Sequence, residues 1–244
     1  GGELMSRHDS SPPSRRTAII ATVIVVALVA GVILIRLGQG GGPSDDGTET
    51  PSAAEAPRPT VPAGVAGPAG DAAGVPVGFS ADEPGAVAAA VAYATASQRW
   101  LYFTDEEIEA AIAEIATPVA ASRLAEDVVA DVSMAREQLA QSSGRIWWLV
   151  RPLAWRVDDY RDTEARVSVW TVTILSAASV AAPQSEFLTV TLDLSWVDGD
   201  WRVDGVRDTP GPTPITGPKD QPWDAEPFDS ALDGFTRMDG EPVS

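Results

Sequence analysis

The sequence predicts an α+β domain in which three N-terminal helices pack on a curved, four-stranded antiparallel sheet. Between Asp82 and Gly144, apolar residues recur at helical spacing. After Gly144 the apolar residues alternate instead, as they do in strands, and Asp198-Gly199 marks a tight hairpin turn. Helices that precede a meander of this kind cover one face of the sheet, and a strongly bent meander forms a cone around an apolar interior.

Each predicted helix has its own start signal. A Ser, Thr or Asp side chain at the N-cap accepts a hydrogen bond from a free N–H of the first turn, and proline fits that turn because it lacks an N–H. The signals are Asp82 followed by Pro84, the capping box Thr104-Asp105-Glu106-Glu107, and Thr117 followed by Pro118, with Gly144 ending the third helix.

Four segments have the β-branched and aromatic alternation of strands. Pro152 lies inside the first segment and indicates a bulge or an edge position, because proline cannot donate to a neighbouring strand. The predicted strands are 145–158, 165–176, 186–197 and 201–207.

An uncharged segment of 19 residues, 17–35, precedes the domain. A helix of that length is roughly 28 Å long, close to the thickness of a bilayer core. A buried core helix would contain polar positions, and a cleaved signal peptide would not continue its apolar run past Ala30. Arg7, Arg15 and Arg16 precede the segment, which favours a cytoplasmic N-terminus and a cell-membrane protein with its bulk outside.

Composition divides the rest of the chain. Gly, Pro, Ala, Ser and Thr dominate the stretch before the first helix, and prolines interrupt the acidic end of the chain. A short helix formed on a partner, at 230–238, is the alternative to disorder at that end. The predicted organisation is a cytoplasmic tail 1–16, a transmembrane helix 17–36, a disordered linker 37–78, an extracytoplasmic domain 79–209 and a disordered acidic tail 210–244.

Charge and composition exclude several function classes. The net charge is −18, with 13 of 17 basic and 33 of 35 acidic residues after residue 36, so a nucleic-acid surface is not expected. Cysteine is absent and His8 is the single histidine, which removes thiol nucleophiles and the usual zinc sites. Asp198-Gly199-Asp200 begins like a calcium loop but lacks the required Glu. We therefore expect no catalytic residue, no metal and no cofactor.

Tryptophan is the most unusual feature of the predicted strands. Six of the eight tryptophans fall there, and they suit a core, the wall of a ligand pocket, or a protein-docking face. Trp147 and Trp148 are neighbours, so their side chains must point to opposite faces of a sheet. The predicted protein-interaction residues are Trp147, Trp148, Trp223 and Phe228.

The combination of a basic tail, one span, a Pro/Gly tether and a domain ending in Val197-Asp198-Gly199-Asp200-Trp201-Arg202-Val203 resembles the nuclear-transport-factor-2-like superfamily. More narrowly, it resembles the bitopic scaffold proteins of type IV secretion and conjugation systems, including the TcpC-like proteins. The absence of Asn and the presence of one Lys fit a GC-rich bacterial genome. The resemblance implies a non-catalytic scaffold that oligomerises and contacts other secretion-channel subunits outside the membrane.

Two other functions fit the same pattern. One is a membrane-anchored accessory or ligand-binding module, such as those associated with lipid import. The other is an enzyme of the polyketide-cyclase or isomerase type, for which Asp193 is the only Asp set well inside a predicted strand.

Overall fold

The computed structural model describes residues 67–214, 230–240 and 242. A short hairpin comes first, then three helices with one 3-10 turn, then a meander of long strands. The elements are β1 Gly70–Ala72, β2 Val75–Val77, α1 Glu83–Ala96, the 3-10 helix Ser97–Tyr102, α2 Asp105–Ile115, α3 Ala121–Leu139, β3 Ile146–Arg161, β4 Glu164–Ala177, β5 Ala181–Val197, β6 Asp200–Pro210 and β7 Thr236–Arg237.

The first two helices begin where their caps predict. Asp82 Oδ1 accepts a hydrogen bond from Gly85 N at 2.8 Å, ahead of α1. Thr104 and Glu107 form the reciprocal capping box of α2, with bonds of 3.2 and 2.7 Å. These starts are local, so the sequence alone specifies them.

The third helix begins later than predicted. Thr117 does not cap α3; its carbonyl and hydroxyl accept from Ala120 N, within a turn that precedes the helix. The N-cap of α3 is Ala120, which has no side-chain capping bond. The reason is tertiary: Thr117 N donates to Val203 O on β6, so this turn is held to the sheet edge before the helix starts.

The long strands form an antiparallel sheet in the order β6-β5-β4-β3-β7. Asp198 and Gly199 have φ angles of +54° and +84°, the pair of positive values that the tight turn between β5 and β6 requires. The register of β3 against β4 shifts between Pro152 and Ala154, which confirms the bulge that proline indicated.

The predicted fold class is wrong. The main sheet has five strands rather than four, because β7 pairs with β3 through Arg237 opposite Ala154 and Thr236 opposite Trp155. A cone of four strands preceded by a membrane helix is not what the described residues form. Two residues are too few to show an alternating pattern, so β7 has no signal in the sequence.

The predicted transmembrane helix, residues 17–36, lies outside the described residues, as does the cytoplasmic tail 1–16. In the part of the chain that the structure describes, no helix is long and apolar enough to cross a membrane. The membrane localisation therefore stays a prediction.

The two segments predicted as disordered both contain ordered residues. The hairpin β1-β2 lies within 37–78, and its Val75 is buried in the main hydrophobic core of the domain. Residues 230–240 lie within 210–244; instead of a helix at 230–238, only the first two residues are helical and β7 follows. In each case a few apolar side chains are buried by distant parts of the chain, which no local pattern reveals.

The main core lies on one face of the sheet, here called the helical face. Helix α1 packs across β3, β4, β5 and β6, and almost every one of its residues is buried. Its start is tight: a Cβ on Gly85 would lie 1.9 Å from Ser80 O, so only glycine fits there. The largest side chains of this core include Trp201, Ile108, Leu192 and Leu194.

The opposite side of the sheet, here called the outer face, has a small core of its own. Leu232 and Phe235 pack against Trp170 and Ala154, and this group is here called the outer cluster. Trp170 Nε1 donates to Pro212 O at 2.9 Å, so the chain after β6 also crosses this face. The C-terminal segment thus covers apolar surface that the helices cannot reach.

Candidate functional site

A cavity lies between the helices and the sheet, on the helical face. The space between its walls is about 850 Å³ when the open solvent at its mouth is included. All three helices, the 3-10 turn, β5 and β6 contribute to its wall. Among the described residues that line it, four are polar, namely Tyr93, Ser97, Asp131 and Asp208, and the others are apolar.

Helix α3 places Asp131 on the apolar side of the cavity wall. Its neighbours on the wall are Leu124, Val128 and Val132 of the same helix. The Asp131 residue is 7% exposed, and in the described part of the chain no donor lies within hydrogen-bonding distance of its Oδ2. Burial, with a smaller effect of the carboxylate of Asp127, raises the pKa of Asp131 to about 6.

Strand β6 places Asp208 on the same wall, opposite Val190 of β5. Asp208 Oδ1 is buried and has no hydrogen-bond partner among the described residues. Burial raises the pKa of Asp208 to about 7, and the nearby carboxylate of Glu186 adds to the shift. Burial also raises the pKa of Glu186.

The other polar side chain deep in the wall is already used. Tyr93 hydroxyl donates to Trp201 O at 2.9 Å, across the core between α1 and β6. Among the described residues that line the cavity there is no Lys, Arg or His, and the charged groups that they contribute are the two carboxyls. Across the described residues, no group of three His, Cys, Asp or Glu side chains is placed to hold a metal ion.

The predicted interaction residues occupy different environments. Trp147 is 43% exposed, and the Arg145 guanidinium lies 5.2 Å from the centre of its ring. Trp148 is buried in a second cluster with Leu139 and Leu175. The two neighbours do point to opposite sides, as the strand geometry predicted. Trp223 and Phe228 lie outside the described residues, and partner contact by these four residues stays a prediction.

The other carboxylates that the sequence raised, those of Asp193 and Asp200, are already paired outside the cavity. Asp193 accepts from Arg166 Nε at 2.6 Å and from Arg207 Nη1 at 2.8 Å, on the side away from the cavity. Asp200 has a structural role, since its carboxylate accepts from Gly78 N at 2.6 Å and Phe79 N at 2.9 Å. These bonds fasten the segment after β2 to the start of β6.

Sequence analysis missed Asp131 and Asp208. A signal for Asp131 was available: it falls seven residues after Leu124 and four before Ala135, on the apolar stripe of its helix. For Asp208 there was none, because the register shift between Asp193 and Leu194 changes which residues of β6 face the cavity.

Three comparisons place the chain among known proteins. The comparison with curated proteins finds no match. Among solved structures, the intermembrane space region of the chloroplast protein ARC6 is similar at 13% identity, with 46% of this chain and 86% of that chain covered and a TM-score of 0.29. A likeness at this TM-score carries no argument about fold or function. The model of a family described as a domain of unknown function matches residues 52–220, more than half of the chain, and the chain therefore belongs to that family, DUF8175.

Proposed function

We propose that the domain is a binding module that holds an apolar small molecule in the cavity between its helices and its sheet. This is the ligand-binding alternative that the sequence left open. The observation that supports it is the wall of the cavity, which is mostly apolar with a few polar side chains, as in small-molecule sites in proteins. The module acts by binding and performs no chemistry on its ligand.

The cavity is partly open to solvent, which is consistent with a ligand that enters from outside the domain. Val206 and Asp208 belong to β6, whose outer edge has no neighbouring strand among the described residues. Helix α3 contributes Val128 and Asp131 to the same wall. Transfer of an apolar molecule from water to such a wall is favourable by about 25 cal/mol per Å² of apolar surface buried.

The test fills the cavity. Isothermal titration calorimetry measures binding of decan-1-ol to the full chain and to Val206→Trp, which places a large side chain in the wall of an edge strand. Val119→Trp is the matched control, because Val119 is 94% exposed and away from the wall. We expect decan-1-ol to bind the wild type and the control alike, and to bind Val206→Trp about tenfold more weakly or worse.

Thermal melts show whether both variants fold cooperatively. Equal binding by folded Val206→Trp and wild type would contradict the proposal. So would a wild type that takes up no apolar probe.

A second candidate function is the scaffold role expected from the sequence, in a secretion or conjugation complex at the membrane. The specific observation in its favour is an exposed aromatic patch. Tyr102 is 53% exposed and its hydroxyl donates to Ile146 O at 3.2 Å, beside Trp147 and Arg145. Tyr, Trp and Arg are the residues that most often anchor protein interfaces. Crosslinking of the full chain in membranes tests this role: Trp147→Ala should reduce oligomers or contacts with other subunits.

A further inference from the structure

We propose that the ligand of the cavity is an amphipathic cation: an apolar molecule whose ammonium group is bound by Asp131, with Asp208 adding negative charge to the same wall. This inference rests on the proposed function, since it specifies the chemical class of ligand for the same cavity. It is argued from the unpaired carboxylate atoms in the wall, from the absence of positive charge there, and from the apolar remainder of the surface.

Asp131 lacks a partner that its burial requires. More than nine-tenths of the residue is buried, it lines the cavity, and its Oδ2 has no donor within reach in the described part of the chain. A buried acceptor left without a hydrogen bond costs about 1–3 kcal/mol, and more when it is charged. A group that enters the cavity with N–H donors would remove this cost.

Asp208, on the sheet side of the cavity, also has a carboxylate oxygen without a hydrogen-bond donor in the part of the chain that the structure describes. Its Oδ1 is also buried and unpaired within the described residues, and Glu186 adds further negative charge nearby. The part of the wall that the described residues form contains no Lys, Arg or His that could neutralise these groups. An ammonium group carries three donors and one positive charge, so it supplies the donors that Asp131 lacks and is attracted by the charge of Asp208.

The remaining wall selects an organic cation over a metal ion. Two carboxyl residues line the cavity, and no metal-binding group of three such side chains occurs among the described residues. The side chains next to Asp131 and Asp208 include Val128, Val132, Val190 and Val206, which offer no ligand to a metal and pack well on an alkyl chain. Charge and apolar surface together fit an amine with a hydrocarbon body.

The experiment compares three probes with the same chain length: decylamine, decan-1-ol and decanoate. Calorimetry measures their binding to the full wild-type chain at pH 8, a pH at which the carboxyls of Asp131 and Asp208 are both ionised. We expect decylamine to bind about tenfold more tightly than decan-1-ol, and decanoate to bind most weakly. Asp131→Asn should weaken decylamine binding about fivefold or more and Asp208→Asn should weaken it by a smaller factor, and neither variant should weaken decan-1-ol binding.

The control is Asp193→Asn, which removes the same charge from the other side of the sheet. It separates binding by the two wall carboxyls from general attraction of a cation to a protein with a net charge of −18. Binding of decan-1-ol at least as tight as that of decylamine overturns the inference and leaves the proposed function standing. The inference is also overturned, and the proposed function unaffected, if all three Asp→Asn variants weaken decylamine binding equally. If none of the probes binds, both proposals fail.

Discussion

The two faces of the sheet are covered in different ways. On the helical face, α1, α2 and α3 follow one another along the chain and bury a continuous core that includes Trp201. On the outer face, a short segment from the end of the chain covers Trp170 with two apolar side chains, Leu232 and Phe235. The first core is built from whole amphipathic elements, and the second from isolated contacts.

The two faces therefore contribute differently to the stability of the domain and to its proposed function. The helical face supplies most of the buried apolar surface, and it also contains the cavity with its unpaired carboxyls. This core therefore contains a cavity and two buried carboxylate oxygens, Asp131 Oδ2 and Asp208 Oδ1, without hydrogen-bond partners among the described residues. The outer cluster is small and depends on a segment that pairs with β3 over two residues, so it should open locally before the domain unfolds.

The largest expected effect breaks the helical face. Trp201 is fully buried, its indole N–H donates to Ser80 O at 2.8 Å, and its ring contacts Trp196 and Tyr160. Trp201→Ala should lower the free energy of unfolding by about 3–5 kcal/mol, since it leaves a large cavity. Denaturant titration measures the loss, with Trp147→Ala as an exposed tryptophan control. An equal loss in both variants would contradict this account of the core.

The next effect concerns how the N-terminal hairpin joins the helical face. Asp200→Ala removes the acceptor for Gly78 N and Phe79 N and should cost about 2–3 kcal/mol. Asp198→Asn, in the exposed turn beside it, controls for charge, because asparagine tolerates the positive φ of this position. Hydrogen exchange should accelerate at residues 75–79 in Asp200→Ala alone; unchanged exchange there would show that other contacts hold the hairpin.

A smaller effect tests the outer face. Phe235 is buried, and the Arg156 guanidinium lies 4.6 Å from the centre of its ring. Phe235→Ala should detach residues 230–240 and lower global stability by only about 1–2 kcal/mol, because the remaining domain keeps its main core. Exchange at Thr236 and Arg237 should rise strongly. A loss as large as that of Trp201→Ala would mean that the two faces unfold as one unit.

The last effect is a pH dependence that belongs to the cavity. The pKa of Asp131 is raised from 3.8 to about 6 and that of Asp208 from 3.8 to about 7, so the folded state binds more protons than the unfolded state between about pH 4 and 7. Both carboxyls therefore disfavour folding as the pH rises through this window. Relative to Asp131→Asn/Asp208→Asn, the wild type should lose stability as the pH rises from 4 to 8, by up to several kcal/mol at about 1.4 kcal/mol per unit of pKa shift.

Thermal melts across this range measure the difference between the two proteins. Asp193→Asn should follow the wild type, since Asp193 is paired with two arginines away from the cavity. A wild type that gains stability over the double variant as the pH rises would show that the two carboxyls are paired in the folded state.

Much of the domain could be predicted because its signals are local. The capping box at Thr104 and Glu107, the turn at Asp198-Gly199 and the bulge at Pro152 each depend on side chains within a few residues of one another. The start of α3, the two-residue strand β7 and the hairpin β1-β2 could not be predicted in this way. Each of them is held by residues far along the chain.

The sequence by itself determined the periods, caps and turns, since a hydrogen bond or an apolar stripe within one element needs no other part of the protein. The tertiary structure alone decided that Asp131 of a helix and Asp208 of an edge strand line one cavity, and that Phe235 is buried on Trp170. The physical reason is that burial and the pKa of a carboxyl depend on the groups that surround it in space. Those groups come from segments whose separation along the chain carries no pattern.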